Sequence, residues 1–83
     1  MDVRVLFFAR SRELAGTSEA SVTLEPGSTT TVLLQQLLQK YPQLQELQGS
    51  FVFSLNQEYL APGEEQPLKG GDEVAVIPPI SGG

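Results

Sequence analysis

Apolar and polar positions follow two periods along this chain, changing from two to three-and-four and back again. Residues 3–9 (Val-Arg-Val-Leu-Phe-Phe-Ala) are rich in β-formers and alternate. They predict a strand with Val3, Val5 and Phe7 on one face and Arg4, Leu6 and Phe8 on the other. Arg10–Gly16 predicts a short loop or helical turn. Ala20–Leu24 sets Val22 and Leu24 against Ser21 and Thr23 until Glu25-Pro26-Gly27 ends the run with turn chemistry. Leu33, Leu34, Leu37, Leu38 and Tyr41 then recur at helical spacing, with Gln35, Gln36, Gln39 and Lys40 on the other side. Thr29 is the expected N-cap, with Ser28 or Thr30 as alternatives. Pro42 stops the helix, and Lys40 suits its C-terminal end. Leu44 and Leu47 are expected to pack in the connector behind it.

Period two returns at residues 51–55, where Phe51, Phe53 and Leu55 alternate with Val52 and Ser54. Asn56-Gln57 reads as a tight turn into a short strand, Glu58–Leu60. Pro62-Gly63, the polar Glu64-Glu65-Gln66 and the loop Leu68–Asp72 lead to a last strand, Glu73–Ile77. Its Val74 and Val76 oppose Ala75 and Ile77. A single long helix covers one face of a sheet, so the order predicts a two-layer α+β domain. The first hairpin, the lone crossing helix and the late strands resemble the ubiquitin-like β-grasp arrangement, which implies a mixed sheet of about five strands on one main helix. The helix is expected to cross Val3, Val5, Phe7, Val22, Leu24, Phe53, Leu55, Val74 and Val76. Residues 1–77 form this domain, and residues 78–83 form an extended C-terminal tail.

Composition narrows the chemistry. The 83 residues, 40% hydrophobic, suit one small domain. There is no Cys and no His, which excludes disulfides, thiol nucleophiles, histidine bases and the usual transition-metal ligands. No Gly-rich stretch ends in Gly-Lys-Ser/Thr, so the chain has no phosphate-binding loop of its own. No metal site is expected. Ten acidic against five basic residues give a net charge of −5, which disfavours nucleic acid; it serves solubility first and, on the sharper reading, steers the chain toward a basic protein partner. No apolar run is long enough for a membrane span, and the N-terminus lacks the features of a signal peptide, so a cytoplasmic location is expected.

The end of the chain carries the chemistry. After Ile77 the residues are Pro78-Pro79-Ile80-Ser81-Gly82-Gly83. Two prolines cannot extend the ladder and favour a polyproline course. Six residues at about 3.3 Å each reach roughly 20 Å. Paired glycines lack the Cβ atoms that would block a narrow active-site cleft. A carboxylate delivered there could attack the α-phosphate of ATP and form an acyl-adenylate. A sulfur donor would then displace AMP and leave a thiocarboxylate at Gly83. The chain would be substrate and carrier, with the catalytic groups on its partner.

Residues 3–16, Leu55-Asn56-Gln57-Glu58-Tyr59 and, above all, Leu68–Gly83 resemble the small, sulfur-carrying subunit of molybdopterin synthase, called MoaD in bacteria. The Pro-Pro-x-x-Gly-Gly ending is the most specific part. The resemblance implies that Gly83 is adenylated and sulfurated by a ubiquitin-activating-type adenylyltransferase with a sulfurtransferase, which consumes ATP. It implies docking into a large catalytic subunit, in a heterotetramer of two small and two large subunits. There the thiocarboxylate supplies sulfur to convert cyclic pyranopterin monophosphate to molybdopterin. No permanently bound cofactor is implied, and the chain is a sulfur-donating, non-catalytic subunit.

Gly82 is the slender neighbour of the reacting residue. By the same resemblance, Phe8, Arg12 and Ile77 lie in the partner interface. Alternation turns Leu6, Phe8, Ala75 and Ile77 to one face, which places an apolar patch at the root of the tail. Pro78, Pro79, Ile80 and Ser81 would enter the partner with the glycines. Two alternatives share the Gly-Gly ending: a thiamin-pathway sulfur carrier, which lacks the Pro-Pro spacer, and a ubiquitin-like modifier conjugated to lysines.

Overall fold

The computed structural model describes residues 1–47, 51–61 and 64–78. Its elements are β1 (Asp2–Phe7), α1 (Arg10–Ala15), β2 (Glu19–Thr23), α2 (Thr30–Lys40), a 3-10 segment (Pro42–Leu47), β3 (Val52–Leu55), β4 (Glu58–Tyr59) and β5 (Glu73–Ile77). The strands form one mixed sheet in the order β2-β1-β5-β3-β4. β1 runs parallel to β5 and antiparallel to β2, while β3 is antiparallel to both β5 and β4. Among the described residues, no helix is long and apolar enough to cross a membrane.

Register explains which side chains are inside. Val5 faces Val74, Phe7 faces Val76, and Phe53 faces Val76 from the other side. These pairs share the face on which α2 packs. Leu33 and Leu37 enter a core with Val3, Val5, Phe7, Val22, Leu24, Val74 and Val76. Leu34 and Leu38 are half-buried at its edges, so the inner line of the helix is narrower than its leucine content. Phe53 and Leu55 pack against this core while remaining partly accessible. Tyr41 closes the helix end with its ring edge-on to Phe7, centroids 5.3 Å apart. Leu44 and Leu47 are buried in the 3-10 segment, as their spacing predicts.

Two local expectations are corrected. The first strand ends at Phe7 rather than Ala9, because Ala9 takes φ 53° and ψ −130°, outside any strand conformation. That value is strained for a residue with a Cβ, and the chain turns there into α1. Second, Thr29 occupies the N-cap position of α2 but makes no side-chain cap bond. Its hydroxyl donates instead to Glu65 Oε2 at 2.8 Å. Loop residues 65–68 cap the helix: the Thr30 N–H donates to the Gln66 carbonyl at 2.9 Å, and the Gln66 N–H donates to Thr30 Oγ1 at 3.1 Å. A distant segment thus supplies an acceptor that an isolated helix would seek from its own first residues.

Hydrogen bonds from Thr31 and Thr29 hold the Glu65 carboxyl below the usual carboxylate range. A group whose folded pKa is lowered adds stability above its unfolded pKa and loses it as pH falls through the folded one. The stability difference between wild type and Glu65→Gln is therefore expected to be present at neutral pH. It should shrink below about pH 4.3, the ordinary value for Glu. Urea melts across that range check this, and a difference independent of pH would refute it.

Candidate functional site

The sheet has a second face, turned away from α2. On β1 it carries Arg4 and Leu6; on β5, Glu73, Ala75 and Ile77; on β3, Val52 and Ser54; and on β4, Tyr59. Phe8 follows β1 and is 47% exposed. The face divides by chemistry. Its Arg4 end is polar, with Arg4 Nε donating to Glu19 Oε2 at 2.9 Å. Its other end is an open groove of about 330 Å³ lined by Leu6, Phe8, Ser54, Gln57, Tyr59, Glu73, Ala75 and Ile77. The four apolar residues assigned to one patch by alternation line this single groove.

The groove is wider than alternation in β1 and β5 alone implies. Tyr59 is 73% exposed and lies opposite Ser54 across the β3–β4 hairpin. Asn56 and Gln57 both take positive φ, 49° and 74°, as a two-residue hairpin turn requires. That turn fixes the register that carries Tyr59 to the groove. Asn56 also anchors the hairpin to β5, donating to Asp72 Oδ1 at 3.1 Å and accepting from the Glu73 N–H at 2.9 Å. The Asn-Gln turn and the Ser54 alternation were the available signals for these residues. Neither shows which strand lies beside β3.

The edge nearest the tail is pinned by Ser11, which is fully buried. Its Oγ accepts from the Phe8 N–H at 3.0 Å and lies 2.6 Å from the Phe8 carbonyl and 3.2 Å from that of Val76. One hydroxyl proton serves either carbonyl, so Ser11 ties the strained turn at Ala9 to the end of β5. Phe8 is held beside Ile77, the last residue of β5, and Pro78 is half-buried next in the chain. Pro79, Ile80, Ser81, Gly82 and Gly83 lie outside the described residues.

Arg12 stands apart from the groove. It lies on α1 beside a separate depression lined by Glu13, Gly16, Thr17 and Ser18. Arg10 pairs with Glu13 and Glu46 at 2.9 and 3.0 Å. Among the described residues no carboxylate forms an ion pair with Arg12, which lines that depression and not the groove.

Comparison with known proteins bears on the fold and the family. The chain is 48% identical over 83 residues to a molybdopterin synthase sulfur carrier subunit of Chlamydomonas reinhardtii, covering all of both chains. It is similar in structure to small archaeal modifier protein 1 of Methanosarcina acetivorans, with a TM-score of 0.82, 32% identity, and coverage of 99% and 96% of the two chains. It is also similar to a chain in the protein-protein complex of subunits 1 and 2 of the molybdopterin-converting factor from Helicobacter pylori. That match has a TM-score of 0.68 and 26% identity, and covers 100% of each chain. Residues 5–83 match the ThiS family, and this chain, with its ubiquitin-like β-grasp fold and full-length likeness to molybdopterin synthase sulfur carrier subunits, belongs to that family.

Proposed function

We propose that the chain is the sulfur-carrying subunit of a molybdopterin synthase and that Gly83 bears the sulfur. The observation that carries this reading is the apolar groove ending at Ile77, where the chain leaves the sheet toward Gly82-Gly83. A small protein does not leave Leu6, Phe8, Ala75, Ile77 and Tyr59 together on one open face without a contact to make. Docking this face on the large subunit would aim the tail into that subunit's active site. The relatives' printed names and the Helicobacter pylori complex support the partner.

In the proposed cycle an activating enzyme binds ATP, and a Gly83 carboxylate oxygen attacks the α-phosphate, expelling pyrophosphate. Sulfur delivered at the sulfide level, as hydrosulfide, then adds to the acyl carbon and loses its proton, and AMP leaves with the bridging oxygen. The resulting thiocarboxylate is the nucleophile that the large subunit presents to its pterin substrate. The small chain contributes position: groove, rim and tail. Intact-mass measurement after co-production with the activating enzyme tests this. One oxygen at Gly83 should be replaced by sulfur, and an unchanged mass would overturn it.

Phe8→Ala and Ile77→Ala are each expected to weaken large-subunit binding by about 1–4 kcal/mol, the range of central interface residues. Calorimetric titration checks this. Unchanged affinity in both would remove the groove from the interface while leaving the tail chemistry standing.

A second reading is favoured by the archaeal likeness: conjugation of Gly83 to lysines of other proteins. The activated carboxyl would be common to both. Lysine conjugates resolved on a gel, in cells making the tagged chain, would establish that fate.

A further inference from the structure

The apolar walls of the groove do not account for Ser54. Its residue is only 6% exposed, and it sits between Ala75 of β5 and Tyr59 of β4. Its hydroxyl makes no hydrogen bond to any described residue, yet it is not sealed off, because it opens on the groove. Its oxygen keeps access to the groove, and an occupant that closed over it without donating to it would leave it unmatched, a cost that alanine would not carry. Diagonal to it on β5, two residues before Ala75, is Glu73, the one charged residue among those lining the groove. The Glu73 carboxylate has only a long contact with Arg4, Oε2 to Nη1 at 3.9 Å, while Arg4 bonds Glu19. Two acceptors of unspent capacity therefore lie among apolar and aromatic surfaces.

We infer that the groove receives one long cationic side chain of arginine type from the large subunit. Its stem would lie on Leu6 and Ile77, and its guanidinium would donate to the Glu73 carboxylate and the Ser54 hydroxyl oxygen. The inference rests on the reading above that this face docks on that subunit, and it names the chemistry that recognises the face. A guanidinium has donors only, in a planar fork, and can reach acceptors on two neighbouring strands of one face. The Phe8 and Tyr59 rings offer faces on which such a plane stacks. An apolar side chain would bury Ser54 and Glu73 unmatched, and a carboxylate would be repelled by Glu73. The net charge of −5 draws a cation to this surface from a distance.

Calorimetric titration of the large subunit with wild type, Ser54→Ala, Glu73→Gln and the double variant tests this, with thermal unfolding run in parallel. Ser54→Ala removes no bond within the chain, so its melting temperature should equal or exceed that of wild type. Each single variant should bind about tenfold more weakly, the worth of a hydrogen bond to a charged group. Glu73→Gln should also flatten the salt dependence of binding. Tighter binding by Ser54→Ala, or affinity within about twofold of wild type for Glu73→Gln, would show an apolar occupant and overturn the inference alone. Failure of the wild-type chain to bind at all would instead overturn the docking reading beneath it.

Discussion

A chain lacking Gly83, or carrying Trp in place of Gly82, is expected to accept no sulfur and still to melt at the wild-type temperature. The described core is complete without the tail: its last members are Val74 and Val76. Shortening the chain at Gly83 leaves every residue of that core in place. The chemistry, by contrast, depends on where the terminal carboxylate is. Removing one residue withdraws it by about 3.3 Å, and near-attack geometry tolerates far less. A Trp at position 82 puts a bulky side chain where the cleft of the activating enzyme would require none. Intact mass after co-production with that enzyme and a calorimetric melt are the paired measurements. Sulfur on the truncated chain would sink the assignment of Gly83. A lowered melting temperature would mean that the tail packs on the domain.

Leu37→Ala is expected to have the opposite signature, a large loss of stability with the tail chemistry intact in the molecules that remain folded. Leu37 is 1% exposed in the core between α2 and the sheet. Truncating such a leucine costs about 2–5 kcal/mol, through lost transfer energy and the cavity left behind. Against a typical total of about 5–15 kcal/mol, that is a substantial share. Leu34 or Leu38, half-buried on the flanks of the same helix, should cost less. Urea melts of the three alanine variants check the order. A Leu37→Ala effect below about 0.5 kcal/mol, the surface level, would contradict the helix orientation.

The different fates of these leucines mark one limit of a pattern. Periodicity places Leu33, Leu34, Leu37 and Leu38 on one side of a helix, yet cannot rank them. Depth depends on which strand passes beneath each, and Leu33 and Leu37 are the two that are buried. The cap shows another limit. Thr29 has the residue type for a local side-chain cap, but Glu65 takes its hydroxyl and Gln66 takes the first helical N–H. Residues 36 positions away compete for the same donors once the chain is folded.

Much of this protein was nevertheless determined in the sequence alone. The two periods set the order of strands and helix, because each period matches the geometry that buries one face of its element. The alternation of Val5, Leu6, Phe7 and Phe8 decided which residues face the helix and which face out, since the side-chain period of a strand is two. The Gly-Gly ending named the residues proposed for the chemistry. The tertiary structure decided what stands next to what. It placed Tyr59 and Ser54 in the groove with Phe8 and Ile77, assigned Arg12 to a different depression, and buried Ser11 where it joins β1 to β5. It also ended β1 at a strained Ala9. Such neighbours come from pairing segments far apart in the chain, and the energies that select one pairing are properties of the whole packed sheet rather than of any one segment.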